Sequence, residues 1–208
     1  MNPISNTSGR APLTAALSTP PVENTRARLL DAVGEAIALA GATTFTLDAI
    51  AKRAGVSKGA LLHHFPTKSV LVEEFVKSLL ASFWEDVYKL ASADEESFGR
   101  MTRAYTNSVL CVYQSAAQSR RWSGLMTAFV VNPSLMYMWR DASNKYQRAL
   151  EAETSESDGL MIARMAVDSY WSNQLFGMQS VSSDARQQLI DRLLELTYPV
   201  PERDSQAA

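Results

Sequence analysis

The segment Thr46 to Lys68, TLDAIAKRAGVSKGALLHHFPTK, constrains this 208-residue chain more than any other. Thr46 is suited to an N-cap, because its hydroxyl can accept from an orphan backbone N–H one turn on. Leu47, Ile50 and Ala51 then share one face of a short helix. That helix stops at Gly55, which is free to take the positive φ of a tight turn. Val56 fills the turn. Ser57 caps a second short helix, expected to carry Leu61, Leu62 and Phe65 inward and to end at Pro66. Two short helices joined through a glycine turn are the sequence form of a helix-turn-helix.

Charge points the same way. From Lys52 to Lys68 there are four cations and no acidic residue. The window Asn24 to Val70 has six Lys/Arg and three Asp/Glu, a net of +3. The whole chain carries −2, so the rest sums to −5. A basic patch on an acidic chain is the electrostatic footprint of phosphate binding. An amphipathic helix pair with a solvated basic face would account for the apolar residues and the charge. It would not account for Thr46, Gly55, Ser57 and Pro66 arriving together.

The remaining chain reads as helix throughout. At 46% hydrophobic it can build a sizeable core, and 3.6-residue periodicity dominates with no sustained alternation of period two. The expected helices are Thr25–Ala40, capped by Asn24 and closed by Gly41, then the two short ones. A long helix follows from Thr67 or Ser69 to about Leu90. Further helices are expected over Ser97–Gln118, Arg121–Val131, Ser134–Glu153, Gly159–Met178 and Asp184–Tyr198. The fold class is therefore all-α, with about nine helices. Residues 1–22 form an arm rich in Ser, Thr, Pro and Ala, expected to be disordered, and 200–208 a polar tail. The single Cys111 excludes a disulfide framework within one chain and suits a reducing compartment, so the expected location is cytoplasmic. No apolar run is long enough to span a bilayer, and no membrane partner is expected.

From Thr25 to about Leu71 the chain resembles the N-terminal domain of the TetR family of transcriptional regulators. The residues that carry the resemblance are Gly41, then Thr46-x-x-x-Ile50-Ala51-x-x-Ala54-Gly55-Val56-Ser57-x-Gly59-x-Leu61, then His64-Phe65-x-x-Lys68-x-x-Leu71. It implies a helix-turn-helix head over 23–70 and a helical effector-binding and dimerisation body over 71–199. It also implies a function: a ligand-responsive regulator, by family default a repressor, that binds a palindromic double-stranded operator as a homodimer. Two positions depart from the family pattern. Leu62 stands where a phosphate-bonding Tyr is usual, and Ala60 where Thr is more frequent.

The recognition helix is short, so its first turn and exposed face must do the reading. The residues expected at DNA are Thr46, Ser57, Lys58, Gly59, Ala60, His63, His64 and Lys68. Lys58 suits guanine or a phosphate, and Gly59 lets the backbone approach the groove floor. Ala60 offers a methyl to thymine. His63 reaches base or phosphate, and His64 a phosphate with partial packing. Lys68 holds the backbone beyond the helix, and the Thr46 helix start faces a phosphate.

Dimerisation is expected through the last two helices, where apolar residues cover more than one stripe. In the first of them Leu160, Ala163, Val167 and Trp171 share a stripe, with Met161 and Met165 off it. A single deep monomeric core is the alternative. Residues 101 to 176 are rich in Met and large aromatics, which suits an adaptable apolar pocket. The expected lining is Tyr105, Trp122, Met126, Phe129, Trp139, Tyr170 and Gln174, with Asn107, Gln114 and Asn173 as further polar anchors. The expected effector is a neutral or weakly polar, hydrophobic small molecule.

An enzyme is disfavoured. The chain has no P-loop, G-x-G-x-x-G, G-x-S-x-G, H-E-x-x-H or C-x-x-C motif. No catalytic residue, cofactor or metal site is expected, and Cys111 reads as a packed small residue. The remaining alternative is a helical small-molecule-binding or protein-interaction module without DNA function.

Overall fold

The computed structural model describes residues 25–40, 44–112, 116–155, 157–175, 178 and 182–199. Among them the chain is all-α, with nine helices: α1 (Thr25–Ala40), α2 (Leu47–Arg53), α3 (Lys58–His64), α4 (Lys68–Ser92), α5 (Arg100–Val112), α6 (Ala116–Val131), α7 (Ser134–Thr154), α8 (Asp158–Leu175) and α9 (Ser183–Glu195). Asn24, Gly41, the 1–22 arm and the 200–208 tail lie outside the described residues. No helix of the described residues is long and apolar enough to cross a membrane.

Side-chain caps set the starts of four helices. Thr46, Ser57, Thr67 and Ser182 each accept from the backbone N–H three residues on, at 3.1 to 3.3 Å. Thr67, not Ser69, therefore opens α4. Between α2 and α3 the backbone turns at Gly55 with φ 66°. The Arg28 side chain of α1 ties this turn down by donating to the Ala54 and Gly55 carbonyls. Those carbonyls have no partner within the helix, so the bonds satisfy orphan acceptors.

Several helix ends in the body differ from the sequence expectation. The helix expected over Ser97–Gln118 begins at Arg100, after Gly99 turns with φ 67°, and is described as far as Val112, since 113–115 lie outside the described residues. The next helix begins at Ala116 rather than Arg121. Leu62 also differs. Leu61 and Phe65 are 0% and 1% exposed, but Leu62 is 38% exposed. Adjacent helical residues diverge by about 100°, so the i, i+4 pair Leu61 and Phe65 owns the buried face and Leu62 is turned out of it.

Two clusters make the core. The first joins α1 to α4 and continues into α6 through Trp122, Leu125, Ala128 and Phe129. The second is built from α4, α5, α7, α8 and α9, around Trp84, Tyr105, Leu150, Val167 and Leu193. The long helix α4 belongs to both. Its first half (Leu71, Phe75, Val76) packs in the head, and its second half (Leu80, Trp84, Val87) packs in the body. The α1–α6 crossing is the other junction. A Cβ added at Gly124 of α6 would stand 2.7 Å from the Gly34 carbonyl oxygen of α1. Only glycine lets these backbones meet so closely. Arg121 of α6 pairs with Asp31 of α1 at 3.1 Å beside it.

A buried cation closes the far end of the body. Arg103 is 2% exposed. It donates to the Asp94 carboxylate at 2.6 Å and the Thr197 carbonyl at 2.6 Å, and to the carbonyls of Glu96 and Phe98. Its guanidinium lies 4.2 Å from the centre of the Tyr198 ring. A buried charge is tolerable when it is paired and hydrogen-bonded on all sides, as here.

Candidate functional site

The outward face of α3 is the first candidate site. Ser57, Lys58, Gly59, His63 and His64 are exposed and Ala60 is half-buried, while Leu61 and Phe65 anchor the helix beneath them. The His63 and His64 rings stand 5.7 Å apart, edge to face. Both histidines reach solvent, so neither is consumed by packing. Gly59 is informative by what it does not touch. A Cβ there would meet only the Ser57 hydroxyl, at 3.8 Å, and its φ is not positive. Nothing inside the protein requires glycine at this position.

The expected phosphate-binding cations are engaged within the chain. Lys58 Nζ donates to the Asp48 carboxylate at 2.8 Å, with both side chains more than half exposed. Such an exposed pair is weak, so a phosphate can exchange for Asp48. Lys68 is held more firmly. Its Nζ donates to the Phe45 carbonyl at 2.8 Å and lies 3.9 Å from the centre of the Phe45 ring. It thus ties the start of α4 to the residue before the Thr46 cap, a structural role that the sequence did not reveal. Thr46 and Ser57 use their oxygens as caps, which leaves each hydroxyl hydrogen free to donate.

The second candidate site is a cavity of about 230 Å³ in the body. All four tryptophans of the chain, Trp84, Trp122, Trp139 and Trp171, line it, together with Phe83 and Tyr105. The rings brace one another. Phe83 stands edge-on to Trp84, Tyr105 and Trp122, and Trp122 edge-on to Trp139 and Trp171. Trp84 stacks between Tyr105 and Tyr146, with centroids at 5.7 and 4.4 Å. Ser143, Gln147, Asp168 and Ser172 supply the polar part of the wall.

Of the sequence-expected lining, Tyr105, Trp122 and Trp139 are brought together here. Met126, Phe129 and Tyr170 sit in the surrounding core, with Phe129 edge-on to Trp139 at 5.9 Å, and do not line the cavity. The side chains of Gln174 and Gln114 lie outside the described residues, and Asn107 and Asn173 are not in the wall. One charged residue, Asp168, stands in the wall, where the expected anchors are all neutral. Its Oδ1 accepts from the Tyr105 hydroxyl at 2.6 Å, and Arg164 Nε stands 3.8 Å from its Oδ2. Burial pushes the Asp168 carboxyl above its ordinary range, against the opposing pull of the Tyr105 hydrogen bond and Arg164. Burial, and then Asp168, hold the Tyr105 hydroxyl well above its own.

Both parts of the chain match known families. Residues 29–75 match the family described as bacterial regulatory proteins, tetR family, and residues 99–198 match the tetracyclin repressor-like C-terminal domain. The HTH-type transcriptional regulator BetI of Klebsiella pneumoniae (strain 342) is 23% identical over 186 residues, covering 85% of this chain and 95% of that protein. A transcriptional regulator of Rhodococcus sp. Rha1 has a similar solved structure, with TM-score 0.62, 21% identity, and coverage of 84% of this chain and 96% of that one. The ketosteroid transcriptional regulator KstR2 of Mycobacterium tuberculosis is similar in fold, with TM-score 0.57, 18% identity, and coverage of 85% and 94%. The helix-turn-helix head, its shared core with a cavity-bearing body and these two matches agree: this chain belongs to the TetR family of transcriptional regulators.

Proposed function

We propose that this chain is a ligand-released repressor that binds a palindromic operator as a homodimer and lets go when a small molecule fills the aromatic cavity. The observation that carries this reading is continuity. Two of the helices that wall the cavity, α4 and α6, also pack into the head. Phe83 and Trp84 of α4 line the cavity, while Leu71 and Phe75 of the same helix are fully buried in the head core. Trp122 of α6 lines it too, one residue from the Arg121–Asp31 pair and two from the Gly124–Gly34 crossing. A ligand that pushes the cavity walls apart therefore acts on α4 and α6 together, and both bear on α1.

In the proposed complex Lys58, Gly59, Ala60 and His63 read or approach the major groove, and Thr46, Ser57, His64 and Lys68 hold phosphates. Two heads of a dimer must stand about 34–36 Å apart to enter successive major grooves. A second copy is favoured by the outer face of α8. Met161, Ile162 and Met165 are 46%, 55% and 66% exposed, although each is large and apolar. The outward positions of α9 are mostly polar, so α8 supplies the greater apolar share of this interface. To turn a mostly bound population into a mostly free one, the effector must favour the released state by roughly 10⁴-fold.

The test is fluorescence anisotropy of the full chain on DNA flanking its own gene, at several salt concentrations. Tight, salt-sensitive binding with a stoichiometry of two chains per palindromic site is expected. Binding no tighter than to random DNA of equal length would refute the operator reading.

A further inference from the structure

The cavity is built for a compact organic cation, we propose: an ammonium or amidinium centre carried on an apolar body. This rests on the reading of the cavity as the effector site and names the class of molecule that site selects. The argument begins with Asp168. Its side chain keeps 44% of its exposure although its surroundings are aromatic, so it is reachable from the cavity and not sealed by packing. Tyr105 occupies one carboxylate oxygen. The other faces Arg164 Nε at 3.8 Å, too far for a hydrogen bond. Arg164 is turned aside by Gln147, whose Oε1 accepts from its terminal nitrogen. Oδ2 therefore stays open to an incoming positive charge, with or without an N–H.

Any molecule that fills the cavity must strip the remaining water from this carboxylate. A neutral apolar filler leaves the charge dehydrated, with only the Tyr105 hydroxyl and Arg164 at 3.8 Å to offset it, which is costly. An anion adds repulsion from the carboxylate and from the negative ring faces. A cation removes the cost and gains from the walls, because the faces of Trp, Tyr and Phe attract positive charge, Trp most strongly. Six such rings line this cavity and four are Trp; the faces of Trp84 are taken up by Tyr105 and Tyr146, so the attraction comes from the other five. The raised carboxyl of Asp168 agrees with a charge that lacks sufficient compensation in the empty site.

Two further groups wait for a partner. Trp84 Nε1 and Ser143 Oγ are buried, belong to lining residues and have no hydrogen-bond partner among the described residues. They leave room for an acceptor oxygen on the same ligand. The volume, about 230 Å³, lies at the small end for ligand sites and suits a compact molecule over a long acyl chain.

Phenyltrimethylammonium and tert-butylbenzene have nearly the same shape and differ in charge, so they isolate the term at issue. The four tryptophans at the cavity make intrinsic fluorescence of the full chain the readout, with thermal shift beside it. Phenyltrimethylammonium is expected to bind at least about tenfold tighter than its neutral isostere. Asp168→Asn, which keeps an acceptor for Tyr105, should abolish most of that preference, weakening phenyltrimethylammonium and letting tert-butylbenzene bind as well or tighter, since no charge is left to dehydrate. Arg164→Gln, which removes the competing cation, should tighten phenyltrimethylammonium and serves if the Asn variant does not fold. Equal or tighter binding of tert-butylbenzene overturns the cation class but leaves the cavity as a ligand site. Silence from both probes overturns the ligand site as well. Binding is read without DNA, so an outcome in which the cation binds and operator affinity stays constant refutes effector release alone.

Discussion

Replacing Gly59 by Ala separates what the protein needs from what the DNA needs. Within the protein the added methyl meets only the Ser57 hydroxyl, at 3.8 Å, which is ordinary contact, and the backbone there is not in the left-handed region. Ala should therefore stabilise α3 by up to about 1 kcal/mol, through helix propensity and a less flexible unfolded chain. For a chain of this size that raises the melting temperature by roughly 2–4 °C. At the operator the same methyl stands on the exposed first turn of the recognition helix, where backbone and groove must come closest. Pushing the helix back by even a fraction of an ångström weakens neighbouring contacts worth about 1–3 kcal/mol each, so operator affinity should fall roughly ten- to a hundredfold. Differential scanning fluorimetry and anisotropy at one fixed salt concentration read the two effects. Gly55→Ala is the control. Gly55 has φ 66° and its Cβ would come 3.0 Å from Arg28 Nη2, so that variant should lose both stability and binding. A Gly59→Ala protein that melts higher and binds the operator unchanged would remove Gly59 from the interface. One that melts lower would refute the account of the space around it.

Lys68→Met should weaken binding to every DNA sequence and flatten the salt slope by about one. It should also lower the melting temperature, since the Phe45 carbonyl loses its donor at a cost of about 1–3 kcal/mol. Arg103→Met strands Asp94 and three carbonyls, and the loss should approach the 3–5 kcal/mol typical of a broken buried pair, moderated because Asp94 is 17% exposed. Urea unfolding at fixed pH measures it. Gly124→Ala gains helix propensity of about 1 kcal/mol but drives a methyl into the Gly34 carbonyl oxygen, and overpacking of about 1–3 kcal/mol should win. Its second signature is weaker operator binding without ligand, as α6 is pushed off α1. Phenyltrimethylammonium affinity should fall as pH drops through the raised Asp168 value, starting at a higher pH than for an ordinary carboxylate, because the protonated group no longer attracts a cation. Tyr105, held high, stays protonated through that range. Folding stability runs the other way: the Asp168 contribution is fully present below the unfolded value and is lost as pH rises through the folded one. Calorimetric titration from pH 4 to 8 checks the sign.

The head was legible because its determinants are local. Thr46 and Ser57 cap the helices that follow them, Gly55 turns with positive φ, and each signal lies within four residues of its effect. Leu62 was misplaced because two adjacent leucines look alike until a helical phase is imposed; Leu61 and Phe65 impose it. The helix end expected at Gln118 had no Gly or Pro to mark it, since none occurs from Arg100 through Ser123, and the described chain is helical from Ala116 through Val131. Lys68 looked like a phosphate contact because its second role depends on Phe45, 23 residues away.

The cavity was half legible for the same reason, enlarged. Three of its aromatic residues were chosen by type, yet the feature that decides its chemistry was invisible to periodicity. Asp168 sits on α8 between Val167 and Ser169, where a carboxylate reads as solvated surface. Only the fold brings it to the Tyr105 hydroxyl, 63 residues away, and shuts water partly out. One sequence signal did exist. A chain with four tryptophans on four different helices has spent its largest side chains either on four separate core sites or on one shared one. When they share one, the polar residues one turn from each tryptophan become the candidates for its wall. Ser143, four residues after Trp139, and Asp168, three before Trp171, both meet that rule and both line the cavity.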